Sequence, residues 1–249
     1  DARIRSKNAT CVALPTNQPI HPDRQRSPGF GMSGKEMRDL MLNVNLEQEF
    51  HPVYNYAFIT DSQEGLILTD INTFADGEPR NNFLERQLTW NENGVLDGAR
   101  HITIGGHYVY IAADRGIVVL DVDRPLSPKV VSIIPMTGAR ATALQFRYLF
   151  ALDDIGMHVI DVTLPEKARM TGAHVPLQDA RRVYVARTYA YVAAGSEGLV
   201  IVDVEKPEQP AVYEKFTDGG KLVDASDVIV GTTNASLIGY VADGTGGLK

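Results

Sequence analysis

The fold is decided by the stretch Tyr189-Ala-Tyr-Val-Ala-Ala-Gly-Ser-Glu-Gly-Leu-Val-Ile-Val-Asp-Val204, because the chain repeats it. Related segments occupy residues 56–71, 108–122 and 148–162, and part of another occupies 239–249. The glycines at positions 65, 116, 156, 198 and 247 are 51, 40, 42 and 49 residues apart. Periods of this length in strand-like sequence predict a β-propeller in which each repeat forms one four-stranded antiparallel blade.

A second motif precedes these copies and marks the first strand of each repeat. It reads Asp97-Gly-Ala-Arg100, Thr137-Gly-Ala-Arg140 and Gln178-Asp-Ala-Arg181, and Val223-Asp-Ala-Ser226 is a fourth version. The chain opens with Asp1-Ala-Arg3, which we interpret as the start of a modified blade. First strands are therefore expected near residues 2, 50, 99, 139, 180 and 225, which predicts up to six units with the last one incomplete.

The second and third strands of each repeat are apolar on both faces, as expected for blades covered by a neighbour on each side. We therefore predict an all-β fold, with residues 1–249 in a single β-propeller domain. The last repeat lacks its third and fourth strands, and an open sheet edge favours aggregation. We expect the missing strands to come from sequence beyond these residues, rather than from a partner chain.

An insertion interrupts the first repeat at residues 15–47. It is rich in proline and polar residues up to Gly31, which predicts irregular structure. Ser33-Gly-Lys-Glu36 then forms a capping box ahead of apolar residues at helical spacing. The insertion is therefore predicted to carry a short helix over about 34–42 that packs on the propeller surface.

Composition disfavours several classes of partner and cofactor. The net charge of −7 and the pI of about 5.4 argue against binding to nucleic acid or to anionic lipid. No apolar run approaches the length of a membrane span, about 18 residues. The single cysteine, Cys11, excludes an internal disulfide and a covalent haem motif, and we expect its thiol to be buried and inert.

At Gly198-Leu-Val-Ile-Val-Asp203 the sequence resembles the LVIVD-repeat family, and the resemblance covers about residues 50–249. It implies a β-propeller of an extracytoplasmic or cell-surface protein, often as one module of a larger assembly. It implies no catalytic residues, because the family shares none.

Three arginines, Arg100, Arg140 and Arg181, stand at equivalent positions at the start of first strands, and Arg3 is a weaker fourth member. Since first strands line the channel of a propeller, these side chains are predicted to gather at one channel mouth. Such a cluster binds a carboxylate, a phosphate or an acidic side chain of a partner. In the alternative interpretation each arginine pairs with Asp97, Asp179 or Asp1 and braces the neighbouring blade.

No cofactor is predicted, and calcium is indicated only weakly. The acidic loops at 61–64, 153–154 and 243–245 offer oxygen ligands but do not match an EF-hand loop. No nucleophile elbow, phosphate loop or dinucleotide motif is present. A catalytic set assembled from distant loops leaves no such signature.

These features favour a non-catalytic interaction or scaffold module of a periplasmic, cell-surface or secreted assembly, with a protein or further domains of a larger chain as its partner. One alternative is a propeller enzyme, either a hydrolase or a quinone-cofactor oxidoreductase, with its site on the channel axis. Another is a partner subunit of a multihaem electron-transfer assembly. Acidic or amide residues around a metal would favour the enzyme, and an exposed histidine reaching a haem would favour the electron-transfer subunit.

Overall fold

The computed structural model describes residues 3–15, 51–74, 79–233 and 236–249, and within these residues the regular structure consists of 18 β-strands and seven short 3-10 helices. The helices are Pro52–Asn55, Asn72–Phe74, Pro79–Asn81, Glu92–Gly94, Pro165–Lys167, Asp218–Gly220 and Gly244–Gly246. The helix predicted at about 34–42, with most of the 15–47 insertion, lies outside the described residues.

The strands form five antiparallel sheets. The first contains β1 (Ala9–Ala13), β2 (Tyr56–Asp61), β3 (Gly65–Asp70) and β4 (Glu85–Trp90). The second contains β5 (His101–Gly105), β6 (Tyr108–Ala113), β7 (Gly116–Asp121) and β8 (Lys129–Ile134). The third contains β9 (Ala141–Gln145), β10 (Tyr148–Leu152), β11 (Gly156–Asp161) and β12 (Arg169–Pro176). The fourth contains β13 (Arg182–Ala186), β14 (Tyr189–Ala193), β15 (Leu199–Asp203) and β16 (Ala211–Phe216). The fifth contains β17 (Ala225–Thr232) and β18 (Leu237–Asp243).

Strands that are consecutive in the chain pair within each sheet, which is the meander expected of a propeller blade. In the fourth sheet, for example, Tyr189 pairs with Asp203 and Ala193 pairs with Leu199. In every four-stranded sheet the register of the third and fourth strands shifts once, after the third pair counted from the start of the third strand. This repeated irregularity shows that the blades share their local geometry as well as their topology.

The core is divided into layers that lie between successive sheets. Phe58 and Leu66 of the first sheet pack with Ile111 of the second, and each of these side chains is fully buried. Equivalent clusters join the second sheet to the third, the third to the fourth and the fourth to the fifth. Because each inner blade is covered on both sides, the absence of polar/apolar alternation in the second and third strands is explained.

The first strands of the sheets, β1, β5, β9, β13 and β17, are neighbours in that order. All five contribute residues to one central cavity, so the sheets radiate from a common axis. The predicted all-β propeller of four-stranded antiparallel blades is therefore confirmed.

The described residues form five sheets, whereas the sequence predicted up to six units. The difference arises in the first blade, where the strands expected near residues 2 and 50 were assigned to separate units. Instead, β1 pairs directly with β2, with Ala13 opposite Phe58. The insertion therefore separates two strands of a single blade.

The fifth sheet contains two strands, followed by residues that begin a third. Leu248 forms a bridge with Ala242, and Lys249 exchanges two backbone hydrogen bonds with Val241. This agrees with the partial repeat that the sequence shows at 239–249.

Candidate functional site

A pocket of about 490 Å³ at one mouth of the channel brings together the three strongest candidates from the sequence, Arg100, Arg140 and Arg181. Each follows a fully buried alanine and stands at or just before the start of a first strand. The backbone N–H of each donates to a carbonyl of the second strand of its blade, at 2.8 Å in all three cases. The equivalent backbone anchoring places the three side chains on one ring.

Arg3 does not belong to this pocket. It is exposed and precedes β1, and the first blade contributes Thr10 instead. Ala9-Thr10 occupies the position that Ala99-Arg100 occupies in the second blade, because the next residue, Cys11, pairs with Thr60 as His101 pairs with Ala112. The Thr10 hydroxyl donates to the backbone carbonyl of Ala99 at 2.9 Å and so joins the first two blades.

Every arginine of the set also forms an ion pair. Arg100 contacts Asp114 at 2.5 Å and Arg140 contacts Asp154 at 2.6 Å. Arg181 is paired with Asp179 at 2.5 Å. Two further contacts cross blade boundaries: Arg140 with Asp179 at 3.2 Å and Arg181 with Asp224 at 2.7 Å. The bracing role is therefore present in the structure.

The carboxylates that pair with these arginines are mostly not the predicted ones. Of the two predicted carboxylates that the structure describes, Asp179 is used by this set and Asp97 is not. Asp97 accepts a hydrogen bond from Asn91 instead, at 2.7 Å. Asp1 lies outside the described residues.

Arginines dominate the lining of the pocket, although four aspartates contact three of them and balance their charge. The pocket is lined by four guanidinium groups and one carboxylate, with Thr10 as the sixth residue: Thr10, Arg100, Arg140, Asp179, Arg181 and Arg182. The other paired aspartates, Asp114, Asp154 and Asp224, are not among the lining residues. One nitrogen of Arg100, Nη1, is buried and has no hydrogen-bond partner within the described part of the chain. The mouth therefore keeps donor capacity that its own carboxylates do not use.

Hydrogen bonds from Arg181 lower the pKa of Asp179, and the guanidinium of Arg140 adds to this effect. Hydrogen bonds to Asp179 and Asp224 raise the pKa of Arg181 above its ordinary value. Both groups thus stay ionised at neutral pH, and the mouth keeps its charge pattern across the range in which proteins operate.

Below the mouth the channel opens into a cavity of about 750 Å³. Thr10 and Arg182 line both spaces, so the two are continuous. His101, Thr103 and Asp227 are further polar residues of the cavity wall. Arg182, the first residue of β13, has no carboxylate within 4.0 Å among the described residues, unlike the three arginines of the mouth.

Burial, together with the positive charge of Arg182, lowers the pKa of His101 to about 3. The imidazole is therefore neutral at physiological pH. Its Nδ1 accepts the backbone N–H of Thr142 at 3.2 Å, and since that group can only donate, the ring proton belongs on Nε2. His101 thus offers the cavity an N–H donor without a charge.

The other groups considered from the sequence have local roles. Asp61 accepts hydrogen bonds from the backbone N–H groups of Gln63 and Glu64, and Asp153 accepts from Gly156. Asp243 accepts from Val223 and Asp224. Within the described ranges, no three histidine, cysteine, aspartate or glutamate side chains are grouped so as to hold a metal ion.

The sequence analysis missed the polar residues of the cavity, His101, Arg182 and Asp227. Each directly follows the Ala-Arg or Ala-Ser motif, at a shared position whose residue type differs from blade to blade. Comparing that position across repeats would have identified them. Cys11, expected to be buried, is half-buried and lines the same cavity.

Comparison with known proteins supports the repeat and the fold. The LVIVD repeat family matches residues 54–73, 98–134 and 178–218. No curated protein matches the chain. In the part of the chain that the structure describes, no helix combines the length and apolar character needed to cross a membrane.

Several solved structures resemble the chain at low sequence identity. A protein from Bacteroides uniformis assigned as a 6-phosphogluconolactonase has a TM-score of 0.59 and 11% identity, over 77% of this chain and 62% of that one. A protein of unknown function from Desulfotomaculum acetoxidans has a TM-score of 0.57 and 10% identity, over 79% and 65%. A chain of the nidogen/laminin complex has a TM-score of 0.52 and 12% identity, over 78% and 70%.

The chain spans less than two thirds of the first two of these proteins. Identities this low carry information about fold alone. The family matches fall on the first, second and fourth blades, where the third strands read Gly-Leu-Ile-Leu-Thr-Asp70, Gly-Ile-Val-Val-Leu-Asp121 and Leu-Val-Ile-Val-Asp203. Together with the radial sheets and the layered core, these matches show that the chain is a β-propeller that carries LVIVD repeats in three of its blades.

Proposed function

We propose that this protein is a non-catalytic binding module of an extracytoplasmic assembly, and that its channel mouth receives an acidic side chain of a protein partner. The observation that carries the proposal is the lining of the mouth pocket, in which four arginines converge and one of them, Arg182, has no carboxylate within 4.0 Å among the described residues. Guanidinium groups bind carboxylates in bidentate geometry and are enriched at protein interfaces.

The rigidity of the mouth supports this role. Arg140 and Arg181 are each held by two aspartates, so their side chains lose little additional entropy when a partner docks. The exposed fractions of these two side chains are 33% each, which leaves part of each guanidinium accessible. A preorganised and partly exposed cluster suits recognition better than a fully buried ion pair.

The extracytoplasmic location rests on the resemblance to LVIVD-repeat proteins. A chain with a single cysteine and no internal disulfide is compatible with a periplasmic, cell-surface or secreted location. The partner is expected to present aspartate or glutamate at its centre, because arginines line the mouth and Arg182 has no carboxylate within 4.0 Å among the described residues.

The test is affinity purification of partners from the source cells with the immobilised wild-type protein and with the R100Q/R140Q double variant. A partner that depends on the mouth should be retained by the wild type, lost with the double variant and released by raised salt. The control is R169Q, because Arg169 is 77% exposed and lies outside the mouth pocket. Equal recovery with the wild type and the double variant would refute docking at the mouth.

A further inference from the structure

Two opposite charges in the central cavity lack ion-pair partners. Arg182 begins β13, and Asp227 lies on the neighbouring first strand, β17. Within the described residues, neither side chain has an oppositely charged group within 4.0 Å. Among these residues the side chain of Asp227 accepts one hydrogen bond, from the backbone N–H of Val228 at 2.8 Å.

This arrangement contrasts with the mouth of the same channel, where aspartates contact Arg100, Arg140 and Arg181. Asp227 is exposed and Arg182 is half-buried, so water solvates both charges when no ligand is bound. The cavity therefore holds one cationic and one anionic group that remain available to a ligand.

The remaining wall is largely apolar. A volume of about 750 Å³ lies within the range of small-molecule sites, roughly 300–1,000 Å³. Aliphatic and aromatic side chains cover most of the wall: Val12, Leu144, Val185, Ile229, Tyr240 and Leu248. A few convergent polar groups in such a wall are the usual composition of a ligand site.

His101 adds a neutral donor next to the cation. Its Nδ1 is occupied by the backbone N–H of Thr142, so Nε2 carries the proton. Arg182 and His101 both line the cavity, and the charge of Arg182 opposes protonation of the imidazole. A carboxylate bound by the guanidinium of Arg182 would accept a second hydrogen bond from this imidazole.

We propose that the channel cavity binds a small zwitterion of the class of apolar and aromatic α-amino acids. Arg182 and His101 hold its carboxylate, Asp227 holds its ammonium group, and the apolar wall accommodates its side chain. Asp227 disfavours phosphate and dicarboxylates, because their excess negative charge would face an unneutralised carboxylate. This site lies inside the channel and does not depend on a protein partner at the mouth.

The test is calorimetric titration of the wild-type chain with L-phenylalanine and L-leucine, followed by two analogues that each remove one charge. N-acetyl-L-phenylalanine lacks the ammonium group, and L-phenylalaninamide lacks the carboxylate. We expect saturable binding of the free amino acids and at least about tenfold weaker binding of both analogues. Arg182→Met and Asp227→Asn should each weaken binding of the free amino acids by a similar factor.

The matched control is Arg187→Gln, in the turn that follows β13 and outside the residues that line the cavity, which should leave binding unchanged. The double variant R100Q/R140Q should also bind normally, which separates this site from docking at the mouth. The analogue series uses the wild-type chain, so it remains decisive if a cavity variant fails to fold. Absence of binding at concentrations up to about 10 mM, tighter binding of inorganic phosphate, or equal binding of the acetylated analogue would each overturn the proposal.

Discussion

Arg181 and Asp224 are joined across the boundary between the fourth and fifth blades, with Nη1 and Oδ1 2.7 Å apart. Arg181 also holds Asp179 in its own blade, and Asp179 in turn receives Arg140 from the third blade. The three contacts form a continuous chain of charges around one side of the channel mouth. Adjacent blades are thus connected by directed ion pairs as well as by apolar layers.

The first prediction concerns the contribution of this contact to stability. Arg181→Gln and Asp224→Asn should each lower the free energy of unfolding by about 1 kcal/mol, because both side chains are partly exposed and solvent screens the pair. A double-mutant cycle measured by chemical denaturation should give a coupling energy of about 0.5–1 kcal/mol. The Arg169–Asp161 pair, at 3.6 Å and with Arg169 77% exposed, is the control and should show coupling near zero. Equal coupling for the two pairs would contradict a bracing role.

The second prediction concerns the dependence of stability on pH. The pKa of His101 is about 3 in the folded protein and close to 6.5 when unfolded, so the unfolded chain binds the proton first. The contribution of His101 to stability is therefore complete above pH 6.5. As the pH falls from 6.5 towards 3 it is lost, by about 1.4 kcal/mol per pH unit.

His101→Gln should reduce the slope of the unfolding free energy against pH between pH 6 and 4. The reduction should correspond to about one proton fewer bound on unfolding. The difference between the variant and the wild type cancels the titration of the other histidines. Arg182→Met should raise the pKa of His101 in an NMR titration, since a positive charge opposing protonation is removed. An unchanged slope in the glutamine variant would show that His101 titrates normally.

The third prediction concerns the glycine that opens the third strand of the second blade. Gly116 has a φ of 117°, and a Cβ there would clash with the carbonyl oxygen of Ile134 and the nitrogen of Met136. Gly116→Ala should therefore lower the free energy of unfolding by about 3 kcal/mol. Gly239→Ala, where a Cβ would meet nothing within 4 Å, should change it by less than about 0.5 kcal/mol. Similar results for the two variants would contradict the steric explanation.

The fourth prediction concerns Phe146, which lies in the tight turn between β9 and β10. Its φ is 53° and its side chain is 94% exposed, so the ring gains little packing to offset an unfavourable backbone conformation. Phe146→Asn should raise the free energy of unfolding by about 0.5–1 kcal/mol, since asparagine tolerates this conformation. Thermal unfolding should then shift upward by about 1–4 °C.

Phe146→Ala is the control for this substitution, because it removes the ring but keeps a residue that disfavours positive φ. Only the asparagine variant should gain stability. A loss of stability in both variants would show that the ring makes a stabilising contact.

The blades and the shared position of Arg100, Arg140 and Arg181 could be predicted from the sequence because both features recur in successive repeats. Residues at one position of a repeat occupy one ring of the propeller, so their convergence follows from topology without any side-chain geometry. The partners of these arginines could not be predicted in the same way. Asp114 and Asp154 lie in loops between the second and third strands, 14 residues after their arginines, and the pairing depends on how far those loops project.

Two other features were not predicted from the sequence because they depart from the repeat. The motif at Asp1-Ala-Arg3 matches in letters, but the strand that pairs with β2 begins at Ala9, after a turn that includes Asn8. No local pattern signals a pairing across the insertion. His101, Arg182 and Asp227 differ from one another at a shared position, so a search for what the repeats have in common passes over them.

The separation of β1 from β2 has a consequence for the order in which the molecule assembles. In the second, third and fourth blades the first two strands are connected by two residues, whereas in the first blade residues 14–55 intervene. Each doubling of the length of such a loop adds about 0.6 kcal/mol to the free-energy cost of closing it. Contacts between residues that are distant in sequence form late in folding. The amides of Cys11 and Ala13 should therefore be the last of the first-strand amides to gain protection from hydrogen exchange during refolding, and among the first to lose it when the protein opens.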